Sequence, residues 1–315
     1  MRTRPLTDLT SRELRPLLDE EAAFWRRELY WDYTDVASAV AAGLDRRTLT
    51  GRVAQEGSEP VAYCYYMVDN LRAIVGSLYA RDGFRGLGLE EQLLEAVLPE
   101  AQAHAGSERV ECQTLFSTAP QADSRFVRAG FSARRRHYLV RDLSLPVSAT
   151  SAGFRLRPFR REDIPLAARL IHRSHEGSLD AALNLTYSTP VSCRGFVETL
   201  VLRSGCGRFD TEASLIADGG DGALGVVLAS DLSATSGHLC QVSVSPEFQG
   251  RGLGRLLVTE ALSAFQRRGL ATASLSVTLD NRRAYELYEQ LGFGLRREFT
   301  AHAWVRPPAR IELPA

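Results

Sequence analysis

The chain has 315 residues, 44% of them hydrophobic, which suits two ordinary domains, each with a full core. Its 38 basic and 38 acidic residues cancel, and neither half is basic: residues 1–150 carry 19 Arg against 21 acids and 151–315 carry 19 against 17, which argues against a nucleic-acid partner. All 38 Lys and Arg positions are arginine, so the absence of lysine excludes a P-loop and a Schiff-base lysine.

In chain order, Met1 to Thr10 lacks the apolar core of a signal peptide. No later apolar run approaches the roughly 18 residues of a membrane helix, so no membrane partner is expected. Residues 76–88 form a glycine-rich stretch ending Arg85-Gly86-Leu87-Gly88. The apolar spacing of Leu93, Leu94, Val97 and Leu98 predicts a helix over Leu89 to Ala101. A strand is expected at Arg109 to Leu115, followed by Ser124 to Phe131. Ser144 to Gly153 is rich in Ser, Ala, Thr, Pro and Gly and reads as a linker. Ser174 to Gly207 is a polar and aromatic segment between a first helix and a strand beginning near Ala213. The five cysteines, 64, 112, 193, 206 and 240, are scattered and free of C-x-x-C. They predict a reducing, cytoplasmic setting and no metal site.

The most informative stretch follows. A strand ending Val242-Ser243-Val244 runs into Gln249-Gly250-Arg251-Gly252-Leu253-Gly254-Arg255, and an amphipathic helix starts at once. Three glycines let the backbone approach a ligand closely. The N–H groups at the positive end of the helix dipole then face an anion, and Arg251 and Arg255 add charge, which points to a pyrophosphate. A Rossmann fingerprint would need G-x-G-x-x-G and an acid about 20 residues on, and neither is present. A second pattern stands downstream: Asn281, Ala284, Tyr288, Gly292 and Phe293, spaced N-x-x-A-x-x-x-Y-x-x-x-G-F.

Together the two motifs resemble those of the GNAT acetyltransferase superfamily, over roughly residues 155–304. The resemblance implies acetyl-CoA as cofactor and direct transfer through a ternary complex to a primary amine on a small molecule or peptide. It implies that Val242, Ser243 and Val244 pair with pantetheine and that residues 249–255 hold the pyrophosphate. Asn281 suits both a helix cap and a coenzyme contact. Tyr288 is the expected general acid. The Glu that some relatives use as base is replaced by Ser276; His238, Glu176 and Asp180 are the candidates, and a water chain would serve equally well. Glu176, Asp180, Asn184 and Tyr187 are expected to meet the acceptor.

Arg85-Gly86-Leu87-Gly88 repeats Arg251-Gly252-Leu253-Gly254 at an offset of 166, and Gly130-Phe131 repeats Gly292-Phe293 at 162. The chain therefore reads as two tandem GNAT-like domains, an arrangement similar to that of the mycothiol synthase family. The fold class is α/β (α+β), each domain a mixed, centrally splayed sheet flanked by helices. The expected division is 1–145, a linker at 146–153, and a catalytic domain at 154–315. In the first copy, Gly83, Phe84 and Leu89 align with Gln249, Gly250 and Arg255, and Phe126 with Tyr288. Glu90 and Glu91 would repel a phosphate there. The first copy is expected to be structural. A monomer or homodimer is equally compatible with the chain. Two other functions remain open: transfer of another acyl group or to a hydroxyl, and a non-catalytic acyl-CoA sensor.

Overall fold

The computed structural model describes residues 2–69, 72–104, 108–113, 115, 120–147, 153–178, 180, 181, 184–203, 205–220 and 222–307. The strands are β1 (Arg2–Pro5), β2 (Thr50–Glu56), β3 (Glu59–Asp69), β4 (Arg72–Ala80), β5 (Arg109–Gln113), β6 (Ser132–Asp142), β7 (Leu156–Pro158), β8 (Arg208–Phe209), β9 (Leu215–Asp218), β10 (Ala223–Ser233), β11 (Ser236–Val244), β12 (Thr272–Thr278) and β13 (Gly294–Val305). The longer helices are α1 (Ser11–Leu29), α2 (Thr34–Asp45), α3 (Leu89–Ala103), α4 (Pro120–Arg128), α5 (Ile164–His175), α6 (Pro190–Arg203), α7 (Leu253–Arg267) and α8 (Arg282–Gln290).

The repeat is visible element by element. β3, β4 and α3 each recur 164 residues later as β10, β11 and α7, and α4 recurs 162 later as α8. The mixed α/β class with helices on the sheet faces is as expected. The division of the chain is not. One compact unit comprises residues 1–23, 34–134 and 299–315, the other 24–33 and 135–298. The last strand of each repeat explains the difference. Residues Arg136 to Asp142 of β6 pair antiparallel with β12 of the second unit. Ala301 to Val305 of β13 pair antiparallel with β5 of the first. Strand pairing satisfies the backbone, so each terminal strand belongs where its ladder is. Of the expected linker, residues 148–152 lie outside the described residues.

In the second unit the strands run β6, β12, β11, β10, β9, β7, with β8 also on β10. β10 is buried along nearly its whole length, and its alternate residues face opposite cores. Val227 and Ala229 pack with Leu257, Ala261 and Phe265 of α7, while Val226 and Leu228 pack with Ile171 of α5 and Val197 of α6. The parallel pair β11 and β12 is joined only from Ser236–Thr272 to Leu239–Leu275. Beyond a bulge at Cys240, Gln241 to Val244 pair with β10 alone, so that among the described residues one backbone edge of β11 has no strand partner. The first unit repeats the splay: β4 and β5 pair only from Arg72–Arg109 to Val75–Cys112.

Gly237 of β11 lies against Phe265 of α7. A Cβ there would lie 2.5 to 2.7 Å from three carbons of the Phe265 ring. Gly237→Ala is therefore expected to overpack this contact and cost about 1–3 kcal/mol, read as a lowered midpoint in urea at unchanged slope.

Candidate functional site

The open edge of β11 leads into a cavity of about 370 Å³ in the second unit. Its walls include Val242, Ser243, Val244, Gln249, Gly250, Gly252, Gly254, Arg255, Asn281 and Tyr288, so nine of the eleven expected coenzyme residues and the expected acid meet in one place. The other two are turned away. Leu253 is buried in the core as the first residue of α7, and the Arg251 guanidinium lies over the Phe248 ring, 5.2 Å from its centre.

The local folding is readable from the glycines. Gly250 and Gly252 have φ of 79° and 84°, a left-handed conformation that a side chain rarely adopts. Gly252 caps α7 in that state. The first helical bond is made by Leu256 N–H to the Gly252 carbonyl, 3.0 Å away, so the N–H groups of the preceding turn have no partner inside the helix. Gly254 lines the cavity; a Cβ there would meet only Leu287 and Val244, at 3.7 Å each. Around this turn, Gln249 donates to the Val244 carbonyl at 3.1 Å and accepts from Arg283 at 3.1 Å, while Arg255 donates to Gln290. Asn281 caps α8, accepting from Ala284 N–H at 3.3 Å.

Arg283 was not among the expected site residues. A signal was present: Arg282 and Arg283 stand in the first turn of a helix, where cations oppose the dipole unless an anion is near.

Tyr288 projects from α8 and is 9% exposed. Burial first, and then the charge of Asp180, push its phenol up to about 12. It packs edge-on to Phe293, the rings 5.9 Å apart. Asp180 also lines the cavity and accepts from the Thr278 hydroxyl.

Several expected residues are elsewhere. His238 is not on the cavity wall. It lies in the paired half of β11, buried, with Nδ1 2.9 Å from the Ser274 hydroxyl and its ring stacked on Tyr138. Burial pulls its imidazole down to about 4, with Arg136 adding to the effect. Glu176 is exposed just past the end of α5. Asn184 accepts from Thr186 N–H at 2.9 Å, capping a short 3-10 turn. Tyr187 donates to Gln241 Oε1 at 3.0 Å and stacks on His175. Of the four acceptor candidates, only Asp180 reaches the cavity. Ser174, His175 and Ser178, unassigned in the sequence, line it instead.

The first unit corrects the register of the repeat. Gly88 caps α3 with φ of 81°, as Gly252 caps α7, and Gly86 with φ of 75° matches Gly250. Leu89 is buried like Leu253, and Leu93, Val97 and Ala101 match Leu257, Ala261 and Phe265. The offset here is 164, so the shared Arg-Gly-Leu-Gly string misaligns the loops by two residues. Gln249 thus matches Arg85, Arg255 matches Glu91, and Gly254 matches Glu90. The Glu90 side chain is buried, and the nearby backbone N–H groups of Gly86 and Glu90 favour its charged form. Burial nevertheless raises its pKa. A carboxyl side chain therefore stands in the first loop where the second has Gly254. Phe126, fully buried, stands at the place of Tyr288, edge-on to Phe131 at 5.2 Å.

Among the described residues, no helix is long and apolar enough to cross a membrane, and no cluster of three or more His, Cys, Asp or Glu is arranged to hold a metal.

Known proteins share this arrangement. The model of the acetyltransferase (GNAT) family matches residues 191–293. A mycothiol acetyltransferase of Thermobispora bispora is 31% identical over 233 residues, 69% of this chain and 72% of that protein. One from Beutenbergia cavernae is 39% identical over 99 residues, covering 31% of this chain and 33% of the relative. A solved tandem GNAT protein from the clavulanic acid biosynthesis pathway covers 98% of this chain and 99% of its own at 16% identity, with a TM-score of 0.63, a likeness of fold. With a relative matched over most of its length, and the glycine turn, splayed strand and buried tyrosine gathered on one cavity, the chain belongs to the GNAT acetyltransferase family and is an acyltransferase of tandem architecture.

Proposed function

We propose that the second unit transfers the acetyl group of acetyl-CoA to a primary amine on a small molecule or peptide, by direct attack in a ternary complex. The observation that carries this reading is the convergence, in one cavity, of an anion-binding turn, an unpaired strand edge and a buried phenol.

The cavity fits the coenzyme. The unpartnered N–H groups of residues 250–255, with Arg255 and Arg283, suit a pyrophosphate, and Gly254 leaves room for it. The free edge of Val242 to Val244 suits the amides of a pantetheine arm. The coenzyme supplies an activated acetyl thioester. Asp180, held by Thr278, offers a carboxylate to an acceptor ammonium. Tyr288, whose proton is retained up to about pH 12, can give it to a departing thiolate. Glu90 and Phe126 deny the first unit both the cradle and the acid, so we assign it a structural role.

Thiol release from acetyl-CoA, measured against a panel of small-molecule amines and peptide N-termini, tests the reaction. Acetylated amine and stoichiometric thiol are expected; coenzyme binding without transfer to any amine overturns the reading. Calorimetry with coenzyme A is expected to give one site per chain. Two sites of similar affinity would contradict the structural role of the first unit. Competition by longer acyl-CoAs reads the donor range.

A further inference from the structure

The cavity carries a histidine that the sequence left without a role. His175 is the last residue of α5, and its Nδ1 lies 2.9 Å from the Ile171 carbonyl oxygen and 3.0 Å from the Ser174 hydroxyl. A carbonyl can only accept, so Nδ1 bears the hydrogen and Nε2 the lone pair. The ring is fixed from the side as well. It stacks on Tyr187, centres 4.1 Å apart and planes 7° from parallel, and the Tyr187 hydroxyl is tied to Gln241 of β11 at 3.0 Å. Nε2 has no hydrogen-bond partner among the described residues, while the residue lines the cavity with Tyr288 and Asp180. An imidazole with one nitrogen anchored, its plane clamped and the other nitrogen unpartnered is built to take a proton.

We propose that His175 is the general base of the transfer, removing a proton from the acceptor ammonium. The assignment rests on the acetyl-transfer reading of this cavity. Asp180 holds the ammonium and Nε2 takes one proton, leaving a neutral amine. The amine nitrogen forms its bond to the acetyl carbon as the carbon–sulfur bond breaks. The thiolate leaves with the Tyr288 proton, and the second nitrogen proton restores the phenol. His175 then releases its proton to water, so one proton is lost per turnover.

The charge state at neutral pH is compatible. Burial lowers the His175 pKa, opposed in part by the Ile171 carbonyl and the Asp180 charge. The other ionisable groups on the cavity are Tyr288 and Glu286 of α8, Arg283 of α8 and Arg255 of α7; Tyr187 covers one ring face. A pKa below the ordinary value of about 6.5 leaves the base free at pH 7. Activity should then fall as pH drops through that pKa.

Two measurements test the proposal. In the parent protein, nitrogen NMR of the histidines is expected to show His175 with hydrogen on Nδ1, titrating below about 6.5. A hydrogen on Nε2, or a charged ring at pH 7, overturns the assignment whatever the turnover. In H175Q, kcat/KM for the amine is expected to fall about 10²–10⁴-fold and to lose its acidic limb, with coenzyme affinity within about twofold of the parent. An acidic limb that persists in folded H175Q overturns the base alone. A parent that binds coenzyme but acetylates no amine overturns the transfer reading, and the base with it.

Discussion

Gly254→Glu should abolish coenzyme binding while leaving the fold intact. The substitution copies into the second unit the residue that the first unit carries at the matching place, Glu90. A Cβ at 254 meets only Leu287 and Val244, at ordinary van der Waals distance, and Glu in the first turn of a helix suits both propensity and dipole. The new carboxylate would stand beside the turn's N–H groups, which favour a negative charge. It then competes with the pyrophosphate for the same donors and repels it. Loss of one or two charge-assisted hydrogen bonds, each about 1.5–3 kcal/mol, weakens binding by about 10–10⁴-fold. Calorimetry with coenzyme A and a thermal melt of the free protein read the two halves of this expectation. Binding within about threefold of the parent would remove residues 250–255 from the coenzyme site. Gly252→Glu would be a poorer test, since its φ of 84° makes any side chain strained and confounds folding with binding.

Tyr288→Phe is expected to lower kcat by about 10²–10⁴-fold, the usual worth of a general acid, with little change in coenzyme affinity. The first unit already shows that this helix accepts a phenylalanine at the equivalent place, packed edge-on to its own Phe131. Folding should therefore be preserved. Burial and Asp180 hold the phenol at about 12, so the parent should show no loss of kcat from Tyr288 up to about pH 10. An unperturbed phenol, near 10, would have begun to fail there. A kcat for the variant within about threefold of the parent, where chemistry limits the rate, would make Tyr288 a packing residue.

The turn and helix proposed to hold the coenzyme were legible in the sequence because their geometry is local. Glycines at 250, 252 and 254 meet the start of an amphipathic helix within a few residues, and backbone N–H groups at a helix start need no distant partner to be placed. Asn281 and Tyr288 sit on one short helix, α8, whose period puts Ala284 and Tyr288 on the face that packs against the core. The tandem repeat was legible as well, but its register was not. Identity of four letters suggested an offset of 166, whereas the left-handed caps at Gly88 and Gly252 and the buried leucines after them set it at 164.

What only the tertiary structure decided involves residues far apart in the chain. The two terminal strands, β6 and β13, complete sheets other than those their position suggests, because ladder partners are chosen in space. His238 looked suited to catalysis by residue type and nearness to the motif, yet the strand carries it into a buried site beside Ser274. His175 and Arg283 had the weaker sequence signals. Their proposed roles rest on contacts with Ile171, Tyr187 and Gln249, set by how α5, the following segment and α8 converge on the splayed strand. Sequence alone pointed to the family, to the glycine turn and to Tyr288, since each is written in adjacent residues. The proposed base depends on packing, because a proton acceptor is defined by which of its atoms the fold leaves unpaired.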